Sequence, residues 1–294
     1  MTAIGARKIL VTGATGKQGG AAVPHLLSYG HHVKVMTRNP EKAKGKLGTG
    51  VEVVQGDFRD PESLEKAVDG MDGVFLMGTP SEEGARAETA QGKRMIDVCA
   101  AKGVGHVVYS SVCCANKKTG VPHFDGKYEV EEHLKKTGLP YTILRPVFFM
   151  ENFLSDGYRP SIEKGVLTTP LAPDRVLQMV SVADIGRIVA EAFTIPMKFL
   201  EREIDIAGDQ LPMENIAEEI SRIVPRPVRY EQTPEADAEK ALGPDLASMF
   251  RWLDRHGYNV DLRLCQELFR GFQIPMTSLR EYLERTRFEF RQAA

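Results

Sequence analysis

Between Lys8 and Pro146, short β-branched apolar runs alternate with longer stretches whose apolar residues recur at helical spacing. The runs predict strands at Lys8 to Thr12, Val33 to Thr37, Val51 to Gly56, Gly73 to Met77, His106 to Ser110 and Tyr141 to Leu144. Most are continuously apolar rather than alternating, the pattern of strands covered on both faces. Helical segments lie between them; in Ala85 to Lys102, Ala90, Met95, Val98 and Cys99 recur at roughly helical spacing. Strand and helix taken in turn predict an α/β fold with a doubly wound parallel sheet. Pro24 falls inside the first helical segment, where its ring and missing N–H predict a kink.

After Pro146 the alternation loosens. Asn152 to Lys164 and Ala236 to His256 read as mixed loop and short helix, Ser181 to Phe193 and Pro212 to Ile223 as amphipathic helices, and Glu203 to Ala207 as a late strand. The expected division is one domain over 1–149 and a smaller C-terminal α+β domain over 150–294, with segments such as 181–207 able to return to the sheet. The smaller domain is expected to lean over the carboxyl ends of the strands, where open α/β sheets bind ligands.

The first strand leads into Thr12-Gly13-Ala14-Thr15-Gly16-Lys17-Gln18-Gly19-Gly20. Glycines at 13, 16 and 19 allow a tight turn, close approach of backbone to a pyrophosphate, and packing of helix on strand. The helix start adds free N–H groups and a positive dipole end. A glycine-rich turn alone is weak evidence. Its place between an apolar strand and a helix, at the head of a βαβ series, is the context of a Rossmann-type dinucleotide loop. Thr12, Gly13, Ala14, Thr15, Gly16, Lys17, Gln18 and Gly19 are therefore candidate cofactor contacts.

About 20 residues on, a NAD site would present a carboxylate to the ribose hydroxyls. This chain has Thr37-Arg38-Asn39-Pro40 there. Arg38 is either a solvated surface residue or a planar donor fork for a 2′-phosphate, with Lys42 as a second charge. The second reading predicts NADP (NADPH) rather than NAD. By position, Asp57 would bond the adenine amino group, Phe58 would pack on its ring, and Gly78, Thr79 and Pro80 would lie beside the ribose and pyrophosphate.

A second constellation lies in Pro122-His123-Phe124-Asp125-Gly126-Lys127-Tyr128-Glu129-Val130, read as a helix start. His123, Lys127, Val130 and Leu134 share one face, while Glu129, Glu132 and Lys136 point elsewhere. Lys127 either snorkels or is held near an anion or a hydroxyl pair such as a nicotinamide ribose. His123 is a candidate proton donor near neutral pH, although histidines at helix starts are more often structural. Ser110 and Ser111 end a strand facing the cofactor, and Cys113 and Cys114 follow, sensitive to oxidation if exposed. No Ser/His/Asp grouping, paired-carboxylate motif or metal-ligand spacing stands out.

Composition sets limits without altering this picture. Apolar residues make up 42% and charged residues 27% of the chain, ordinary globular usage. A net charge of −2 provides no general attraction for phosphate backbones or anionic lipid, so neither nucleic acid nor membrane is an expected partner. Ile9-Leu10-Val11 is too short for a secretory h-region and no apolar stretch approaches the ~20 residues that span a bilayer, so a cytoplasmic location is expected. The cysteines, Cys99, Cys113, Cys114 and Cys265, lack Cys-x-x-Cys spacing and are expected as reduced thiols.

Taken together the motifs resemble the NmrA-like family of atypical short-chain dehydrogenases over nearly the whole chain. The likeness rests on Thr12 to Gly20, Thr37-Arg38-Asn39-Pro40, Gly56-Asp57-Phe58, Gln91-Gly92-Lys93, and His123-Phe124-Asp125-Gly126-Lys127 with Val130-Glu131-Glu132. Arg145-Pro146 leading to Glu151-Asn152, and Ser181-Val182-Ala183-Asp184, extend it. The resemblance implies a Rossmann fold with a smaller substrate or partner domain, and it adds Lys93, Lys127, Phe149 and Asn152 to the cofactor site. The family contains both reductases and regulators that sense NADP without turnover. Ordinary short-chain dehydrogenases use a tyrosine four residues before the lysine as proton donor; here that position is His123, while Tyr128 points about 100° away around the helix. The expectation is therefore a redox or cofactor-status sensor with little or no turnover, whose surface or oligomeric state responds to NADP, with an NADPH-dependent reductase of a quinone, carbonyl or similar small acceptor as the alternative; a protein partner or a small-molecule acceptor would accompany the dinucleotide. The oligomeric state is left open.

Overall fold

A computed structural model describes residues 5–78 and 83–291, with side chains through 286. Along the first half the elements alternate: β1 (Lys8–Val11), α1 (Lys17–Ser28), β2 (His32–Thr37), α2 (Pro40–Leu47), β3 (Val51–Gln55), α3 (Pro61–Val68), β4 (Gly73–Met77), α4 (Ala85–Ala101), β5 (Val107–Ser110), α5 (Pro122–Lys136) and β6 (Tyr141–Pro146). There follow β7 (Phe148–Phe149), α6 (Arg159–Glu163), β8 (Val166–Thr169), β9 (Val176–Val180), α7 (Val182–Thr194) and β10 (Arg202–Ile206). The chain continues through β11 (Asp209–Pro212), α8 (Met213–Ser221), β12 (Arg229–Gln232), α9 (Glu235–Leu242), α10 (Pro244–His256), α11 (Leu262–Arg270) and α12 (Leu279–Arg291).

Two compact units result. The first comprises residues through Lys117, Pro122–Arg145 and Val182–Ile204, and the second Lys118–Val121, Pro146–Ser181 and the chain from Asp205 onward. The strand order β10-β6-β5-β4-β1-β2-β3 is the doubly wound arrangement with one strand added beyond β6. The pairs β1–β2, β1–β4, β2–β3, β4–β5 and β5–β6 are all parallel, in registers such as Ile9↔Val33 and Ile9↔Gly73. Ile9, Leu10 and Val11 are fully buried, as are Val74, Phe75, Val107 and Val108, which is why these strands read as unbroken apolar runs.

Helix α7, which follows the loosening of the pattern, belongs to the first unit and lies on α1. A Cβ on Gly186 would come within 2.5 Å of the Ala21 carbonyl oxygen, so only glycine permits that approach. Pro24 does not interrupt α1: it sits on the exposed side, opposite Ala22, Val23 and Leu26, where water can solvate the Gly20 carbonyl it leaves without a helical partner.

In the second unit β9 lies between β11, antiparallel, and β7, parallel, while β8 pairs with β12. The stretch read as loop and short helix near Ala236 to His256 instead forms α9 and the longer α10. Gly243, at φ +79°, ends one helix and begins the other, and Ala247, Phe250 and Leu253 then recur on the buried side of α10. No helix among the described residues is long and apolar enough to cross a membrane.

A histidine in the first unit makes its stability depend on pH. His106 is fully buried, edge-on to Phe193, and its Nε2 lies 2.9 Å from the Thr142 hydroxyl. That hydroxyl donates to the Phe199 carbonyl, so Nε2 carries the proton and Nδ1 is the bare nitrogen, with no hydrogen-bond partner among the described residues. Burial, and then the Arg7 charge, push the ring from 6.5 down to about 3. The unfolded chain thus gains a proton near pH 6.5 that the folded ring refuses until about pH 3. The contribution is complete above pH 6.5 and is lost as the pH falls toward 3. Denaturant unfolding of the wild type should weaken by about 2 kcal/mol between pH 7.5 and 5 beyond any change in a His106→Gln variant; equal slopes would show that His106 is not the group responsible.

Candidate cofactor site

The loop after β1 assigns its glycines different tasks. Gly13 has φ +61°, so the turn needs glycine for its conformation; a Cβ there would also lie 2.0 Å from the sulfur of the flexible Met77 side chain, which would have to move aside. At Gly19 a Cβ would stand 2.5 Å from the Gly13 carbonyl oxygen, so the helix start is pressed onto its own loop. Gly16 differs. It has ordinary extended dihedrals, φ −97° and ψ −172°, and an added Cβ would meet only the Gly13 oxygen, at 3.3 Å. That contact is tight but needs a shift of only a few tenths of an ångström, far less than at Gly19, and the exposed position leaves a bare backbone surface for an outside group.

Thr12 is completely buried and fastens this loop to the end of β4. Its hydroxyl donates to the Met77 carbonyl at 3.0 Å and accepts from the Met77 N–H at 2.9 Å. Ala14 is buried, whereas Thr15, Gly16 and Lys17 are exposed. Gln18, nearly buried, accepts a 2.6 Å hydrogen bond from Ser110 at the end of β5. α1 begins with no side-chain cap and no acidic residue in its first turn, so its leading N–H groups and dipole face outward beside Gly16.

Arg38 is exposed just beyond β2, and Asn39 caps α2 by accepting from the Lys42 N–H at 3.1 Å; the Lys42 side chain is exposed. Asp57, beyond β3, is gripped by Arg59 through bonds of 2.6 and 3.0 Å. Those hydrogen bonds, helped by the charges of Arg59 and Arg38, hold its carboxyl at about 2, so it is a carboxylate at any physiological pH. Arg59 was not anticipated from sequence. Phe58 is half-buried against the core around Leu64 and Met95. Gly78 lies against Glu88, and Thr79 and Pro80 lie outside the described residues.

Lys127 neither snorkels nor stands alone: its ammonium donates to the Glu88 carboxylate of α4 at 2.6 Å and sits 6.0 Å from the Tyr109 ring centre. Both partners are largely shielded, with 11% of the Lys127 side chain and 6% of Glu88 exposed. Burial, then the nearby Glu88 and Glu131 charges, raise the Tyr109 hydroxyl well above its usual range. His123 is buried edge-on against Phe124, and Tyr128 faces the Lys135 ammonium instead of Lys127. Lys93 pairs with Glu129 at 2.7 Å. The glycines of two recognisable motifs have a packing purpose: a Cβ on Gly126 would hit the Thr89 hydroxyl at 2.4 Å, and one on Gly92 would meet Val130 at 3.0 Å, so they let α5 close on α4.

Beneath these groups lies a buried ionic cluster. Ser111 donates to Glu131, which also accepts from Arg145 through Nε at 2.9 Å and Nη2 at 2.5 Å, and Arg145 reaches Glu203 as well. Sequence reasoning took Glu131 and Arg145 as marks of resemblance only; the signal was present in those motifs, but not its role. Phe149 and Asn152 belong to the second unit, Phe149 in β7 and Asn152 in the short turn after it, whose Glu151 accepts from Ser181 at 3.1 Å. The first unit thus brings together the glycine loop, Gln18, Gly78, Glu88 and Lys127, while Arg38 and Asp57 serve its β2–β3 side. Cys113 and Cys114 are buried, and among the described residues there is no group of three or more His, Cys, Asp or Glu able to hold a metal ion.

The sequence profile of the NmrA-like family matches residues 5–283. An NmrA-like family domain-containing protein of Dictyostelium discoideum is 28% identical, with 96% of this chain and 99% of that protein covered. The solved NADPH-dependent quinone oxidoreductase QOR2 of Escherichia coli, complexed with NADPH, is 27% identical with a TM-score of 0.78, covering 94% of this chain and 99% of that one. NmrA, a negative transcriptional regulator solved with NAD, has the same fold at 20% identity and a TM-score of 0.75, covering 94% of each chain.

The glycine geometry predicts a separation of effects within one loop. Gly19→Ala should lower the Tm by about 5 °C or more, from an overpacking strain of about 2 kcal/mol, while Gly16→Ala should stay within about 2 °C of wild type. Thermal melts of both variants decide it, and equal losses would contradict the assignment.

Proposed function

The chain belongs to the NmrA-like family, and on that premise we propose that it binds NADP(H) on its first unit and reduces a small acceptor of the quinone class without a side-chain proton donor. The observation that carries the cofactor half is Gly16, an exposed glycine that the fold constrains less than Gly19, at the uncapped start of α1. Backbone N–H groups of the Gly13 to Gln18 loop, apart from that of Gly16, which donates to the Gly13 carbonyl at 2.9 Å, would hold the pyrophosphate, with Arg38 and Lys42 on the 2′-phosphate. Asp57, ionised and fixed by Arg59, would accept from the adenine amino group, with Phe58 beside the ring. Gly78, Thr79 and Pro80 would line the ribose, and Lys93, Lys127, Phe149 and Asn152 complete the set by family likeness. Bound NADPH supplies the hydride.

The acceptor half rests on the pairing of Lys127 with Glu88 and the burial of His123. A carbonyl reduced to an alcohol needs a proton delivered at its oxygen; Tyr128 faces Lys135, and Tyr109, whose ring centre is 6.0 Å from the Lys127 ammonium, is buried with its hydroxyl raised well above the usual range. A quinone accepts hydride to become a hydroquinone anion, which takes its proton from water. The E. coli relative named as a quinone oxidoreductase supports that class. A second reading, the NADP-responsive sensor, is favoured by the same departure at His123, since a site without an acid also suits binding without turnover.

Arg38→Ala should weaken NADP by roughly tenfold to a hundredfold and NAD by much less, because charge-assisted bonds of about 1.5–3 kcal/mol are lost; calorimetry with equal losses for both would contradict NADP selectivity. In NADPH oxidation with a quinone panel, His123→Ala should change the rate by less than about threefold. A drop of roughly a hundredfold or more would instead identify His123 as the general acid, and tight NADPH binding with no acceptor reduced would leave the sensor reading.

A further inference from the structure

The segment after β5 carries two adjacent cysteines that the proposed chemistry leaves unused. Cys113 and Cys114 are 2% and 5% exposed, and their sulfurs stand 3.6 Å apart. Cys114 has φ +68°, in the left-handed region that side chains rarely adopt. The other described non-glycine residues with positive φ, Lys118, Glu201 and Gln273, are exposed; Cys114 is buried. In extended backbone, neighbouring side chains point to opposite faces. Here the unusual backbone, held by surrounding packing, turns the two sulfurs toward one another.

The separation suits one kind of bridge better than another. A disulfide needs about 2.05 Å between sulfurs and usually at least ~4.4 Å between Cα atoms, whereas adjacent residues are held about 3.8 Å apart by their peptide. Direct closure is therefore strained. A single thiophilic atom with bonds to sulfur of about 2.3 Å, the length in zinc thiolates, spans the gap at an angle of roughly 100°. Zinc itself calls for four ligands, and the described residues hold no group of three or more metal-binding side chains. A pyramidal centre that is satisfied by two sulfurs and one carbon is trivalent organoarsenic.

We propose that Cys113 and Cys114 form a dithiol site for trivalent organoarsenicals. The reaction is a condensation: an arsenic-bound oxygen leaves as water with the two thiol protons, two As–S bonds form, and no oxidation state changes. The site also communicates with the cofactor loop. Ser110 bonds Gln18 of α1 and Ser111 bonds Glu131 of α5, so the segment is tied to both the glycine loop and the helix that carries Lys127. Because both sulfurs are buried, the carbon substituent fits only if the segment opens, which loosens those bonds. This coupling rests on the reading that the first unit binds NADP(H). On that reading the dinucleotide and the arsenical oppose each other, each lowering the other's affinity by the same factor.

Phenylarsine oxide and the folded full chain supply the test, with intact mass and peptide mapping as readout. Expected is one phenylarsenic group per chain, removed by a dithiol but not by a monothiol, and absent from both Cys113→Ser and Cys114→Ser; Cys99 and Cys265, each isolated, remain unmodified. Saturating NADPH should reduce uptake at limiting arsenical at least threefold, and the arsenical should weaken NADPH by the same factor. No uptake by the folded chain, uptake surviving in both serine variants, or fresh protein already two hydrogens lighter across this pair would overturn the site. Uptake unchanged by NADPH that is demonstrably bound would overturn the coupling. Dithiol uptake in a chain that binds no NADPH would overturn the coupling and the cofactor reading, and leave the site standing.

Discussion

A carboxylate shut away from water fixes the geometry on which the candidate site depends. Glu131 has no solvent exposure, and removing such a charge from water costs several kcal/mol unless partners and good geometry repay it. Repayment comes from Arg145 at the end of β6 and from Ser111 just past β5. Glu131 sits on α5, so this helix has one placement that satisfies all three groups. That placement also sets His123 and Lys127 against the strand ends, and Lys127 then meets Glu88 of α4 across an approach that Gly92 and Gly126 permit. Breaking either buried pair would strand a charge, the costly outcome, whereas replacing a whole pair with apolar groups can be mild. The pairs therefore specify where the helix goes more than they add to stability.

The other side of the first unit is governed by close approach. Gly13 is fixed by its positive φ, Gly19 pressed on the Gly13 carbonyl leaves no room for a methyl group, and Thr12 anchors the turn to β4. The consequence is a stiff loop whose outward face is backbone N–H, without a side chain at Gly16 and without a capping group on α1. Anions are favoured there by the helix dipole and by donors that cost no rearrangement. Such a surface is useful to a regulator and a reductase alike, which accords with one family containing both.

Much of this was legible in the sequence because it depends on local rules. β4 runs from Gly73 to Met77, as its apolar run predicts, and the other sheet strands lie within about two residues of their runs, the usual uncertainty at element ends. The glycine spacing gave the loop, and the helical period gave the face shared by His123 and Lys127. What was missed depends on contacts distant in sequence. Glu88 lies 39 residues from Lys127, and neither periodicity nor a motif links them. Arg59 differs: it is only two residues from Asp57, and the conformation of the turn between β3 and α3, not a periodicity or a motif, brings the pair together. The length of α10 escapes a periodicity reading because Gly243 separates two helices whose combined pattern has no single period.

The central claim is that dinucleotide phosphates rest on the backbone at the start of α1. Amide hydrogen exchange resolved to single residues, with and without saturating NADPH, tests it most directly. The account predicts marked slowing at Gln18 and Gly19, whose N–H groups belong to the first helical turn and have no intrahelical acceptor. Unchanged exchange at these amides while NADPH is bound would contradict it.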